Sequence, residues 1–213
     1  GTENIRTNTN ATFLQNINVG VAITAGKLGI GFTDANVKVG NTALDSLTTG
    51  GNNTAVGNNA LTANTTGSHN VAVGSGALDA NTTGNYNYAL GKDALGANTT
   101  GSVNVAIANA LTSNTTGENN IAIGSNSLGD NTIGGQNVAI GRQALGDNTT
   151  ANNNTAVGHN TLFYNTTGGN NTAIGRDALK ANTTASNSVA IGYFALVANT
   201  TGTQNIAIGV ETL

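Results

Sequence analysis

Hydrophobic and polar positions recur along this chain with a period of 17 residues, from Asn36 to Leu213. Each unit runs close to N-[VIT]-A-[IV]-G-x-x-A-L-x-x-N-T-T-G-x-x, and we number its positions 1 to 17. Only the unit that begins at Asn104 differs in length, being one residue shorter. A short period held over about ten and a half units is typical of a stack in which each unit forms one turn. The pattern therefore predicts a solenoid.

The order of residues within one unit predicts that the solenoid is all-β. Positions 1 to 5 alternate and are rich in β-branched residues, which predicts a short strand. A second short strand is expected over positions 8 to 12, and the polar segment from position 13 predicts a turn. We expect each 17-residue coil to form one turn of a parallel β-solenoid, or β-roll, with equivalent positions stacked about 4.8 Å apart. A helical fold is excluded because Gly, Asn and Thr dominate and no 3.6-residue period survives.

Alternation within the strand predicts which side chains face the interior. Position 4 is aliphatic in every unit and position 9 is always Leu, so positions 2, 4 and 9 are expected to form the core. The predicted core column consists of Leu61, Leu78, Leu95, Leu111, Leu128, Leu145, Leu162, Leu179 and Leu196. Position 12 predicts a ladder of stacked amides, formed by Asn64, Asn81, Asn98, Asn114, Asn131, Asn148, Asn165, Asn182 and Asn199.

The opposite face of the predicted strand carries Ala at position 3 and Gly at position 5. Small residues let another backbone approach closely, and so few large aliphatic side chains per coil make a thin core for an isolated solenoid. We therefore predict a subunit interface at position 3 and a homotrimeric rod; the alternative is that alanine simply fits a narrow interior. The predicted interface residues are Ala55, Ala72, Ala89, Ala106, Ala122, Ala139, Ala156, Ala173, Ala190 and Ala207.

The two ends of the repeat region predict its neighbours. Residues 1–35 are not repetitive, and we expect them to form a cap or connector for the solenoid of residues 36–213, because an uncapped coil exposes unpaired strand edges. The repeat stops at Leu213, halfway through a unit. This predicts either a piece of a longer fibre or a coil completed by another subunit, in a head-to-tail polymer.

Composition narrows the classes of partner. Charged residues make up 8% of the chain and the net charge is −3, so there is no basic footprint for nucleic acid. The chain also lacks an apolar run long enough for membrane insertion. Without Cys it has neither disulfides nor thiolate metal sites. Disorder is disfavoured despite the polar composition, because a disordered chain does not require Leu in every unit.

Candidate chemistry is sparse. His69 and His159 fall on distant coils, with no Cys, Asp or Glu at ligand spacing. No phosphate loop, calcium repeat or nucleophile elbow is present. We predict no catalytic residue, no cofactor and no essential metal. If a metal site exists after all, Asp130 and Asp147 are the best candidates, because both occupy position 11 of adjacent coils.

Aromatic side chains are the best candidates for surface ligand contacts, since exposed rings can stack on sugars. Most of them fall at variable positions of the repeat, whereas Tyr88 occupies position 2 and is expected to be partly buried. The alternative is that they pack along the rod or against a neighbouring subunit. The candidates are Tyr86, Tyr88, Phe163, Tyr164, Tyr193 and Phe194.

Several segments resemble known repeat families. The motifs N-T-A-V-G (Asn154 to Gly158), N-I-A-I-G (Asn120 to Gly124) and S-V-A-I-G (Ser188 to Gly192) resemble the strand motif of trimeric autotransporter adhesin heads. The unit from Asn171 to Thr184 is similar to repeats of bacteriophage tail-fibre-like proteins, and Gly26 to Thr33 is similar to a segment that often precedes them.

The resemblance covers residues 26–213 and implies a trimer of β-rolls. The 17-residue period is longer than that of the adhesin heads, so their ligand surfaces cannot be transferred to this chain.

These features favour a structural function: a fibre shaft or adhesive stalk of a phage tail fibre, extracellular or on the virion surface, able to contact a cell-surface glycan or receptor. The alternatives are a self-assembling head-to-tail filament and a cell-surface adhesin head. An ice-binding solenoid is less favoured, because adjacent threonines at positions 13 and 14 would point in opposite directions in a strand. An enzyme is least favoured, because no cluster of titratable residues interrupts the repeat.

Overall fold

Each coil contains one three-residue strand, which begins directly after the residue at position 1. The computed structural model describes residues 35–213, where 11 parallel strands pair in chain order to form one sheet. The predicted cap or connector spans residues 1–35, and residues 1–34 of it lie outside the described residues. The strands are β1 (Val37–Val39), β2 (Thr54–Val56), β3 (Val71–Val73), β4 (Tyr88–Leu90), β5 (Val105–Ile107), β6 (Ile121–Ile123), β7 (Val138–Ile140), β8 (Thr155–Val157), β9 (Thr172–Ile174), β10 (Val189–Ile191) and β11 (Ile206–Ile208).

Strand register follows the sequence repeat, so the predicted parallel β-solenoid with coils of about 17 residues is confirmed. Position 3 of one strand pairs with position 3 of the next, as Ala139 does with Ala156. Hydrogen bonds between successive coils continue outside the strands, for example from Leu61 N to Ala77 O at 3.0 Å. Each coil therefore covers the open edge of the one before it.

The sheet faces the opposite way from the prediction: alanine points inward, and the larger aliphatic side chains point outward. The alanines of position 3 are at most 5% exposed in the single chain, whereas Ile140 and Ile174 at position 4 are 38% and 40% exposed. Side chains buried in their own coil cannot contact a second subunit, so the predicted interface is wrong. This correction applies to Ala55, Ala72, Ala89, Ala106, Ala122, Ala139, Ala156, Ala173, Ala190 and Ala207.

The cross-section of the coil explains this orientation. Leucines at position 9 enter the interior from the side opposite the sheet, and Leu61 to Leu179 in this column are fully buried. Alanines at positions 3 and 8 fill most of the remaining apolar space. A second row of Val or Ile would overpack so narrow an interior, which is destabilising.

The predicted second strand is also wrong, because positions 6 to 11 form turns in nearly every coil. Leucines from Leu44 to Leu196 at position 9 have φ between 48° and 53°, a left-handed conformation that ordinary side chains seldom adopt. Positions 7 and 17 also have positive φ, and these positions are rich in Asn, which tolerates that conformation. Three left-handed corners thus fold each coil around a single leucine.

Position 5 forms a further corner that requires glycine in the ordinary coils. Gly141 has φ of 130°, and a Cβ atom there would collide with the carbonyl of Gly158 in the next coil. The short unit differs at this corner, because only Ala108 and Asn109 connect β5 to Ala110. Ala108 has φ of 70°, so one left-handed residue replaces the longer glycine corner. This shorter corner accounts for both the missing residue and the missing glycine of the unit.

Two columns of buried asparagine complete the interior. Nδ2 of Asn131 donates to Oδ1 of Asn114 at 2.8 Å and to the carbonyl of Gly134 at 2.9 Å. Its own Oδ1 accepts from Nδ2 of Asn148 at 2.8 Å. These bonds satisfy the polar turn inside the coil, so the column at position 12 forms the predicted ladder. At position 1 the backbone joins the ladder, since Asn70 N donates to Asn53 Oδ1 at 2.9 Å.

Candidate functional site

One extended surface feature of residues 35–213 is the outward side of the sheet, which we name the aliphatic face. It consists of positions 2 and 4 of all 11 strands, which gives 22 side chains. They comprise 18 Val, Ile or Leu residues, three Thr and Tyr88, with no charged group among them. At the usual strand spacing the face is about 50 Å long. The exposed members are Val37, Val39, Tyr88, Leu90, Ile121, Ile140, Ile174, Ile206 and Ile208.

A second feature lies beyond the glycine corner, at position 6 of four successive coils. We name it the cationic row: Arg142, His159, Arg176 and Tyr193. The backbone stacks them in register, because Asn160 N donates to Arg142 O at 3.1 Å and the two later coils repeat this bond. Nη1 of Arg142 lies 3.2 Å from Nε2 of His159, and the Arg176 guanidinium lies 5.8 Å from the Tyr193 ring centroid.

Next to the cationic row, Asp177 is 2% exposed and forms ion pairs with two cationic side chains. Its carboxylate oxygens lie 3.0 Å from Nε of Arg176 and 3.1 Å from Nζ of Lys180. Burial alone would raise the pKa of Asp177, but hydrogen bonds from Lys180 and Asn160 and the nearby positive charges lower the pKa overall. Asp177 therefore stays ionised and fixes Arg176 and Lys180 in place.

The contact with Arg142 determines the hydrogen-bonding role of the His159 imidazole. An arginine N–H can only donate, so Nε2 of His159 accepts and the ring proton is assigned to Nδ1. Nδ1 is buried and has no hydrogen-bond partner within residues 35–213. Arg142 makes no ion pair with any carboxylate in the same part of the chain.

Asp130 and Asp147, the acidic candidates for a metal site, are neighbouring carboxylates at position 11 of adjacent coils. Burial, and then the charge of Asp130, raise the pKa of Asp147, so these neighbouring carboxylates repel each other. Burial also raises the pKa of Asp79. Within residues 35–213 no three His, Cys, Asp or Glu side chains converge as metal ligands would.

The candidate aromatic contacts lie at separate places along the rod. Tyr88 is 48% exposed on the aliphatic face, not partly buried inside as expected. Tyr86 stacks in parallel on His69 of the preceding coil, with ring centroids 4.8 Å apart. The other candidates form two edge-to-face pairs, Phe163 with Tyr164 and Tyr193 with Phe194.

The threonine columns at positions 13 and 14 have different roles. Hydroxyls at position 13 donate to the carbonyl of the next coil, as in the bond from Thr82 Oγ1 to Thr99 O at 3.0 Å. The side chains at position 14 are exposed, and Ile133 interrupts their row. Position 14 therefore presents one interrupted row of exposed threonine side chains.

Comparison with family models, with curated proteins and with solved structures gives no match for this chain. In the described part of the chain, no helix is long and apolar enough to cross a membrane. The fold presents two candidate binding surfaces, the aliphatic face and the cationic row.

Sequence reasoning missed both surfaces. The aliphatic face was assigned to the interior, because alternation cannot by itself distinguish the two sides of a strand. The cationic row was not singled out, although Arg142, His159, Arg176 and Tyr193 are spaced by one repeat each. Reading the variable positions column by column would have found it.

Proposed function

We propose that this protein is a non-catalytic fibre shaft or adhesive stalk whose subunits associate through the aliphatic face into a homotrimeric rod. The observation that carries the proposal is the uncharged aliphatic face, whose position-4 row is Val, Ile or Leu in all 11 strands of the described solenoid. Single chains seldom expose so large an apolar patch unless it binds something.

The size of the aliphatic face supports a self-interface. Its 22 side chains fall within the range of about 20–30 residues per partner in a stable interface. Every coil presents the same two positions, so a second copy aligned in parallel meets matching aliphatic rows along the whole face. Burial of these side chains adds the apolar contacts that the thin Leu and Ala interior lacks.

A threefold arrangement suits the shape of this face. The face is long but only two side chains wide, and three such faces can converge on one axis so that each contacts two neighbours. The resemblance of the strand motif to trimeric autotransporter adhesin heads supports three copies. The resemblance of the longer unit to phage tail-fibre repeats supports a place on a virion or another extracellular surface.

Two variants with the same charge change test the assembly. In the first variant, arginine replaces Ile140 and Ile174 on the aliphatic face. In the second variant, arginine replaces Thr150 and Thr184, which lie at exposed position 14 of the same two coils. Analytical ultracentrifugation of the parent should give three times the chain mass of 21.1 kDa. The first variant should be monomeric and the second trimeric.

A monomeric parent protein contradicts the proposal. Open-ended polymers in electron micrographs would favour the head-to-tail filament instead, and discrete trimers that carry a receptor-binding tip would favour the adhesin head.

A further inference from the structure

We propose that the cationic row binds a linear acidic polysaccharide, with Arg142 and Arg176 contacting carboxylate or sulfate groups and Tyr193 stacking on a sugar ring. This inference rests on the proposed adhesive function and deepens it by naming a class of ligand. It depends on the cationic row and not on the aliphatic face, so the two proposals can fail separately.

The row concentrates positive charge in a chain that is otherwise acidic. Although the net charge is −3, Arg142, Arg176 and Lys180 lie within three successive coils. Asp177 is the carboxylate that ion-pairs within this cluster, and it is buried beneath Arg176 and Lys180. The cluster therefore keeps a local excess of positive charge, and Arg142, which makes no ion pair within residues 35–213, can bind an added anion.

The spacing of the row suits a polymer that runs along the rod. Arg142 and Arg176 are two coils apart, which corresponds to about 10 Å at the usual strand spacing. One sugar residue of an extended polysaccharide is similar in length to one coil, so acidic groups on alternate sugars fall in register with the two guanidinium groups. Each guanidinium can hold a carboxylate or sulfate through two parallel hydrogen bonds.

An aromatic side chain ends the row, as in many sugar sites. Tyr193 is 41% exposed, and the guanidinium of Arg176 lies 5.8 Å from its ring centroid. Phe194 packs against the ring in an edge-to-face contact, with 4.3 Å between the two centroids. A braced, exposed ring loses little side-chain entropy when a sugar stacks on it.

Nucleic acid is a weaker match for this row. Its binding requires a broad basic surface that neutralises several phosphates, whereas the row is one side chain wide on an acidic protein. An extended acidic polysaccharide that runs along the rod needs only a line of contacts. If three copies associate in parallel, three rows on one rod would add avidity.

The test uses a fluorescein-labelled heparin oligosaccharide as the probe, with fluorescence anisotropy in low-salt buffer. Arg142→Gln combined with Arg176→Gln should weaken binding by at least about tenfold, the loss expected for one charge-assisted hydrogen-bonded contact. Lys38→Gln combined with Lys92→Gln makes the same charge change on distant coils and should leave binding within about twofold of the parent.

Further arms separate stacking from charge. Tyr193→Ala should weaken heparin binding several-fold, whereas Tyr164→Ala removes another exposed ring and should not. Neutral labelled dextran should not bind. Equal losses in the two double variants, or equal binding of single-stranded DNA, would overturn the proposal, because either result means unspecific charge attraction.

Ultracentrifugation of every variant distinguishes failure of this inference from failure of the proposed assembly. A trimer that does not bind heparin contradicts only the proposal that the cationic row binds a polysaccharide. A monomer whose heparin binding depends on Arg142 and Arg176 contradicts only the proposal that subunits associate through the aliphatic face.

Discussion

The two faces of the same sheet are opposite in composition. The inward row is alanine in every strand after β1, whereas the outward rows carry Val, Ile and Leu that remain partly or largely exposed. In a wide globular core the larger aliphatic residues would occupy the interior. Here the coil is so narrow that the smallest apolar side chain fits inside, and the larger ones face outward.

The volume available inside the coil, and not hydrophobicity alone, therefore decides which face of a short strand is buried. Inner residues contact the coils above and below as well as the leucine column, so they have no space to move. Within residues 35–213, the outer residues have neighbours along the face but none in front of it. Substitutions at adjacent positions should therefore have opposite consequences for folding and for assembly.

The largest effect is expected from Ala139→Arg, because a charge would be forced into the closed interior. An uncompensated buried charge costs about 3–5 kcal/mol, and overpacking adds to that cost. The free energy of unfolding, measured by urea titration, should fall by at least this amount. Damage should be greatest in the adjoining coils, since each unit contacts only its neighbours.

The matched control is Ile140→Arg, one residue along on the opposite face. In conditions where the protein is monomeric, its free energy of unfolding should change by less than about 1 kcal/mol, while self-association weakens. If Ile140→Arg unfolded the monomer and Ala139→Arg did not, the inward and outward faces of the sheet would be the reverse of those described.

The second effect concerns the leucine column. Leu145→Ala removes a fully buried side chain and should lower the free energy of unfolding by about 2–5 kcal/mol. Leu90→Ala makes the same truncation at a side chain that is 51% exposed on the aliphatic face. In the monomer Leu90→Ala should cost less than about 1 kcal/mol. Equal losses in the two variants would mean that Leu90 packs as deeply as Leu145.

The sequence predicted the period, the parallel stacking and the leucine and asparagine columns, because each requires one residue type at one position. It did not predict the side on which Ala139 lies, since a period of two fits either orientation of the strand. The turn at position 9 was also missed, because leucine carries no sign that it will adopt positive φ. Both features depend on the cross-section of the coil, which is a property of the whole stack.

The candidate site was less predictable than the fold. Arg142 and Arg176 are separated by two repeat lengths, but charge at a variable position ordinarily indicates a solvated surface. Only stacking in register places these side chains beside His159 and Tyr193. The exposure of Tyr88 was missed for the same reason as the aliphatic face, since both follow from the orientation of the strand.

The third effect concerns the asparagine ladder, the polar part of the interior. Asn131→Ala removes three hydrogen bonds and leaves Oδ1 of the buried Asn114 without its donor, whereas the Gly134 carbonyl keeps its bond from Asn120. The expected loss is about 1–3 kcal/mol, the usual cost of an unsatisfied buried polar group. Asn109→Ala is the control, because that exposed amide makes one long contact of 3.5 Å. A loss at Asn109 as large as that at Asn131 would contradict a structural role for the ladder.

The smallest effect is electrostatic and depends on pH. Because burial and the charge of Asp130 raise the pKa of Asp147 above its ordinary value of 3.8, the folded state holds this proton more tightly than the unfolded state does. The stabilisation from protonation is therefore full below pH 3.8 and is lost as the pH rises through the folded-state pKa. Asp147→Asn removes the repelling charge and should raise the melting temperature by about 1–2 °C near neutral pH. Calorimetry on the parent and the variant should show this difference disappear in acid below the ordinary aspartate pKa, where both side chains are neutral. A destabilised variant at neutral pH would mean that the Asp147 carboxylate makes a favourable contact, such as a bound cation, which chelation would then remove.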